Sequence, residues 1–311
     1  MTRRCAFLTA LSCLALGCAT EPSTPVLGAR VEGRALIVET GEFMVPAGAE
    51  LMECFYTNLI TTEPLAVSTA AGHQLEGGHH IITYYTLVHS EPGHHPCSEE
   101  EMTTWTQIAG ADGSGSDGGD RYRVDGLATR VPVGAQIVIQ SHYVNHTPGD
   151  LLVHDSMDIR IPLESEVREY GGTFFIHQGD FEIPPRGSLR VVTECVTDRD
   201  LQLAMLLGHM HERGARFSLE LMGDGTEPEM LYETDWEPLF WSHPPVNNYG
   251  LDDALQLPAG ARLRMTCEWA NDTEEPLLFP REMCVGYGLY FPATAAEMIE
   301  CANVSREATP L

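Results

Sequence analysis

Residues 261–269 alternate without a break: Leu263, Met265, Cys267 and Trp269 share one face, and Arg262, Arg264, Thr266 and Glu268 share the other. Residues 216–221 repeat the pattern, with Phe217, Leu219 and Leu221 inward. Alternation of this length, interrupted by Gly, Pro, Asn and Asp at short intervals, predicts antiparallel strands that bury one face. Helical periodicity is scarce, and residues 293–301 hold the best short candidate. Residues 110–120, rich in Gly, Ser and Asp, predict a flexible surface loop whose spacing fails the calcium-loop pattern. The fold class this predicts is all-β, as tandem antiparallel β-sandwiches of jelly-roll type.

A strand opener recurs at Pro46-Ala47-Gly48, Pro132-Val133-Gly134, Pro185-Arg186-Gly187 and Pro258-Ala259-Gly260. Each turn fixes the direction of the chain and hands over to an alternating strand. The first and third of those strands reach Cys54 and Cys195, the second reaches His142, and the fourth reaches Cys267. A histidine pair lies inside each half, His79-His80 in the first and His209-Met210-His211 in the second. Two domains of one plan, each with a His pair, are the economical explanation. The expected divisions are a signal at 1–17, a tether at 18–26, sandwiches at 27–165 and 166–304, and a tail at 305–311.

Composition narrows the setting. The chain has 311 residues, a formal charge of −27 and no lysine, every basic side chain being arginine. Such a balance excludes nucleic-acid binding and removes Schiff-base and P-loop lysine chemistry. Arg3 and Arg4 precede an apolar run that closes on Leu14-Ala15-Leu16-Gly17-Cys18. This reads as an export signal, too short for a permanent span, and its end resembles a bacterial lipobox. The resemblance implies an exported lipoprotein, on the periplasmic or cell-surface side, attached to the membrane only through lipid on Cys18. The remaining cysteines, Cys54, Cys97, Cys195, Cys267, Cys284 and Cys301, are even in number and predict disulfides in an exported chain.

The candidate chemistry lies in the histidines. On a strand, His209 and His211 share a face and can reach one ion. His79 and His80 are adjacent, so both can reach one ion only at a bulge or twist. His142 stands on the polar side of an otherwise apolar strand, and Met283 stands beside Cys284. His94 and His95, between Gly93 and Pro96, are expected as exposed loop residues, and His73, His89, His154, His177 and His243 as structural ones. No G-x-S-x-G elbow or H-E-x-x-H helix is present to support a hydrolase.

The ordered set His79-His80, His142, His209-x-His211 and Met283-Cys284 resembles the copper type II, ascorbate-dependent monooxygenases, the peptidylglycine α-hydroxylating and dopamine β-hydroxylating enzymes and their bacterial relatives, over residues 45–301. The resemblance implies two coppers per chain. His79, His80 and His142 would hold the copper that stores and transfers electrons. His209, His211 and Met283 would hold the copper where O2 meets a substrate C–H bond, with ascorbate or another one-electron donor as reductant. It also implies the disulfides Cys54–Cys97, Cys195–Cys301 and Cys267–Cys284. Tyr287 matches a substrate-contacting Tyr of the family. Leu207 and Val285 stand where peptide-hydroxylating members have Arg and Asn, which implies a less polar small-molecule substrate. The segment 271–281 is shortened relative to the family, and a copper-binding lipoprotein without turnover, a buffer or sensor on the same scaffold, is the alternative reading.

Overall fold

The computed structural model describes residues 26–112, 122–223, 225, 227–241, 243–279, 281–294 and 298–311. The signal, Cys18 and most of the tether lie outside the described residues, as does 113–121 of the expected loop. The protein is all-β. In the first half, one sheet orders the strands Gly28–Glu32, Ala35–Glu39, Ser156–Arg160 and Ala70–His73. It faces a second sheet of Gly93–Pro96, Glu50–Ile60, Gln136–Val144, Gly78–Thr86 and Trp105–Asp112. Leu36, Val38, Met157 and Ile159 meet Phe55, Ile81, Ile137, Ile139 and Tyr143 between them, all fully buried.

The second half repeats the arrangement. Asn247–Asn248, Leu201–His209, Val285–Phe291, Gly172–His177 and Met298–Glu300 form one sheet, with Leu255–Leu257 paired to its second strand. Glu229–Asp235, Gly214–Met222, Arg262–Ala270, Ser188–Val196 and Ala302–Pro310 form the other. Phe217, Leu219, Leu263, Met265 and Trp269 are buried between the two, as the alternation requires. The halves are also joined: Glu169–Tyr170 pairs in parallel with Leu127–Val131, and Val124 and Leu127 pack into the second core.

The repeat extends to side chains. Asn145 donates from Nδ2 to the carbonyls of Val45, Pro46 and Gly149, and Asn271 donates in the same way to Ile183, Pro184 and Glu275. Thr61 donates to the carbonyl of Pro132, and Thr197 to that of Pro258. Each opener turn is therefore closed by a side chain from the far end of a strand. Three openers place their glycine at positive φ: Gly48, Gly134 and Gly260. The third differs, because Arg186 takes the left-handed position with φ 51°.

Two expectations change. Residues 298–300 are a strand parallel to Gly172–His177, not part of a helix, and the disulfide Cys195–Cys301 follows it directly. The stretch expected as a tail continues as the edge strand Ala302–Pro310 on Ser188–Val196. All nine of its residues are exposed, so no alternating face advertises it. Three disulfides, Cys54–Cys97, Cys195–Cys301 and Cys267–Cys284, join the pairs that the resemblance implies. They place the chain outside the reducing cytoplasm. Among the described residues, no helix is long and apolar enough to cross a membrane.

Candidate metal centre

His80 and His142 face each other across neighbouring strands, in register. The ladder then slips by one residue, since Tyr143 pairs with Gly78 and leaves His79 as the extra residue. This is the bulge that adjacent ligands need. It turns both rings inward, with His79 Nδ1 and His80 Nδ1 2.8 Å apart. One ring nitrogen from each of His79, His80 and His142 lies within 4.8 Å of the others.

In the second half, Gly208 packs its backbone against Phe217, where any Cβ would meet the ring at 2.3 Å. The strand ends on His209, and His211 lies just past it in the turn closed by Gly214 N–H to the His211 carbonyl. The two rings are 5.3 Å apart, while the intervening Met210 is fully buried in the core. Met283 is half-buried. His209 pairs with Val285, two residues beyond Met283. The neighbours of Met283 are tied on both sides, Cys284 through its disulfide to Cys267 and Glu282 through the hydrogen bonds described next.

Glu282 is a buried carboxylate with no signal in the sequence. It accepts from His211 N–H at 3.2 Å, Arg213 N–H at 2.7 Å and Trp269 Nε1–H at 3.1 Å. Burial pushes it up to about 7. It fixes the backbone of the His211 turn to the segment that carries Met283.

Hydrogen bonds also set the tautomers, because carbonyl and carboxylate oxygens only accept. His211 Nδ1–H donates to the Arg281 carbonyl at 3.0 Å, leaving a lone pair on Nε2. His142 Nε2–H donates to Glu50 at 3.0 Å, leaving a lone pair on Nδ1, and this bond holds the Glu50 carboxyl below its ordinary range. His80 Nε2–H points to Gln140 Oε1 at 3.3 Å, which puts its lone pair on Nδ1, the atom 2.8 Å from His79 Nδ1. Each partner orients a ring as an outer-shell group orients a metal ligand.

The two groups are not separate. The His79 and His211 ring centroids are 5.0 Å apart across the domain boundary, and those of His79 and His142 are 4.5 Å apart. Trp241, on the short turn Pro238–Trp241 of the second domain, packs its ring 4.1 Å from that of His79. His79, His142 and His211 line one cleft of about 360 Å³ with Glu50, Arg281 and Trp241. Each of the three histidines is at most 6% exposed. His79 Nε2, His142 Nδ1 and His211 Nε2 are buried without a hydrogen-bond partner. Burial, reinforced by neighbouring imidazoles, holds His79 and His80 well below the usual histidine range and brings His209 to about 3 and His211 to about 4. The rings of His79, His80, His209 and His211 are therefore neutral at pH 7, the form that binds metal. A nitrogen set with a thioether close by in sequence fits copper better than oxygen-seeking magnesium or calcium.

The remaining site residues lie elsewhere. Leu207 is buried in the second core. Val285 is half-buried in the sheet between His209 and His177. Tyr287 turns to the domain boundary, where Gln107 Nε2 donates to its hydroxyl at 3.4 Å. None of the three is on the wall of the histidine cleft among its described lining residues. His94 and His95 are exposed, but on the edge strand Gly93–Pro96 rather than in a loop, bonded to Glu53 and Glu101. Glu50, Trp241 and Glu282 escaped sequence reasoning, because lone acids and a lone Trp carry no spacing.

No family model matches this chain, and no curated protein matches it. Among solved structures it is similar to the major capsid protein P2 of bacteriophage PM2, at 10% identity and TM-score 0.25, covering 88% of this chain and 98% of that one. It is also similar to a protein of Parabacteroides distasonis ATCC 8503 described as secreted, at 10% identity and TM-score 0.14, covering 86% and 87%. TM-scores this low carry no argument about fold or function.

Proposed function

We propose that the protein is a copper-dependent monooxygenase that inserts one oxygen atom of O2 into a substrate C–H bond, using a one-electron donor such as ascorbate. The observation that carries this reading is the set of three buried imidazole nitrogens without partners on the wall of one cleft. Leaving such groups unpaired is costly unless something binds them. His79, His80 and His142 would hold one copper, and His209, His211 and Met283 the other. Bound copper supplies one-electron redox chemistry and O2 activation. A thioether ligand favours the reduced ion that meets O2.

The chain's own part is orientation and shielding. Glu50, Gln140 and the Arg281 carbonyl hold the ring tautomers, while Glu282 ties the His211 turn to the Met283 segment. Trp241 covers the His79 ring and limits water there. A lipid on Cys18 would keep this body at the membrane of an exporting bacterium.

The test is metal analysis and O2 uptake on protein exported under copper-replete conditions. Two coppers per chain and ascorbate-driven O2 uptake are expected, and Met283→Ile should abolish uptake while His79, His80 and His142 remain loaded. Zinc in place of copper would overturn the reading. Copper without donor-dependent uptake across a substrate library would instead favour the non-catalytic buffer or sensor, which the position of Leu207, Val285 and Tyr287 off the cleft wall also favours.

A further inference from the structure

Charge accounting on the cleft wall leaves one group over. Glu50 is bonded to His142, and Glu282 takes three donors of its own. Arg213 is paired with both Glu212 and Asp272. Arg281 lines the same cleft, is exposed, and uses only its carbonyl, for His211; among the described residues its guanidinium has no ion pair. Its field helps to hold the Glu50 carboxyl low across the cleft, without a direct contact. A cation with no direct partner is unusual here, because acidic residues outnumber basic ones by 45 to 18 and most arginines are paired. The rest of the wall includes Trp241, Leu277 and Val144, which are apolar, and the Thr273 hydroxyl. A volume of about 360 Å³ is that of a small-molecule site.

We propose that Arg281 is the docking residue for a small organic anion, a carboxylate or enolate with an apolar body, that enters the histidine cleft. A planar fork of donors suits such a group, and the bond is charge-assisted on both sides. The acidic surface repels anions at long range, so a local unpaired arginine is what lets one settle beside the rings. The proposal rests on the oxygenase reading only for the use made of the anion, as substrate or as reductant.

The experiment is calorimetric titration of the mature chain, metal-free so that anions cannot bind at copper, at about 0.15 M ionic strength. Benzoate is the probe, and benzamide is its uncharged counterpart. Benzoate is expected to bind saturably, with Arg281→Gln weakening it at least about tenfold and Arg281→Lys only a few-fold. Benzamide should bind wild type no better than it binds Arg281→Gln. Displacement of benzoate by ascorbate assigns the site to the reductant, and failure to displace assigns it to a substrate carboxylate. Equal benzoate affinity in wild type and Arg281→Gln, equal affinity for benzoate and benzamide, or no saturation would overturn the proposal. The copper count of Arg281→Gln, which keeps the carbonyl that His211 uses, separates this result from failure of the copper reading.

Discussion

Glu282 offers the sharpest test of how the second half of the centre is held. Replacing it with Ala removes the acceptor for His211 N–H, Arg213 N–H and Trp269 Nε1–H at once. Each buried donor left without a partner costs about 1–3 kcal/mol. Water entering the vacated space recovers part of that, so a loss of about 3–6 kcal/mol is expected. A protein of ordinary stability has about 5–15 kcal/mol in all, so the second sandwich should unfold at markedly lower urea. Glu282→Gln keeps one oxygen but turns an amide N–H₂ toward backbone donors, and about 1–3 kcal/mol should go. Urea unfolding followed by near-UV circular dichroism measures both, with Glu212→Ala, an exposed neighbour, as the control expected to stay within about 0.5 kcal/mol. On the proposed two-copper reading, copper content should drop from two to one in Glu282→Ala, because the His211 turn loses its tie to the Met283 segment. A Glu282→Ala protein within about 1 kcal/mol of wild type, still holding both ions, would refute this account.

The repeat predicts that Asn145→Ala and Asn271→Ala cost similar amounts, about 2–4 kcal/mol each, since each asparagine donates to three carbonyls and accepts from a threonine. Paired unfolding curves check this, and a large asymmetry would count against equivalent roles. Asp155 is fully buried, and burial raises its carboxyl above the ordinary range despite bonds from Ser141, Tyr143 and Gln74. A raised folded pKa means stability is fully present below the ordinary aspartate range and is lost as pH rises from about 4 through the folded value. Asp155→Asn should lack that fall, which unfolding free energies of both proteins between pH 4 and 7 would show or deny. On the proposed two-copper reading, the 5.0 Å separation of the His79 and His211 rings predicts magnetically interacting Cu(II) ions, seen as a half-field electron paramagnetic resonance signal. Two isolated spins would mean that the domains stand apart in solution.

Much of the fold was legible because a sheet with one wet face writes its period into the chain. The strands around Leu219 and Met265 follow directly from alternation. So does the need for a bulge at His79, since adjacent side chains on a regular strand diverge. What stayed hidden had no buried face or no partner nearby in sequence. The Ala302–Pro310 strand is wholly exposed, and His94 and His95 sit on an edge. The contact of His79 with His211 and Trp241 depends on how two finished sandwiches dock, which no local spacing encodes.

The repeat of the frame does not extend to the positions of the two histidine pairs. Gln136–Val144 ends on the Asn145 turn, as Arg262–Ala270 ends on the Asn271 turn, so Tyr143 corresponds to Trp269 and His142 to Glu268. Gly78 pairs with Tyr143 as Gly214 pairs with Trp269. Both ladders then slip by one residue, over His79 in the first and Ala215 in the second. The cross-strand pair His80–His142 thus corresponds to Arg216–Glu268. That face of the second sheet carries ion pairs of Arg216 with Glu233, Arg190 with Glu268, and Arg264 with Glu194, and no histidine. His209 instead ends a strand of the opposite sheet, with His211 in the turn just past it, at the place that Ala70–His73 occupies in the first half. Even the buried acids correspond, Tyr143 donating to Asp155 as Trp269 donates to Glu282. One frame has therefore been used twice with histidines on different faces. Because the faces differ, docking the two halves sets His79 and His142 opposite His211, and the cleft between them belongs to neither half alone.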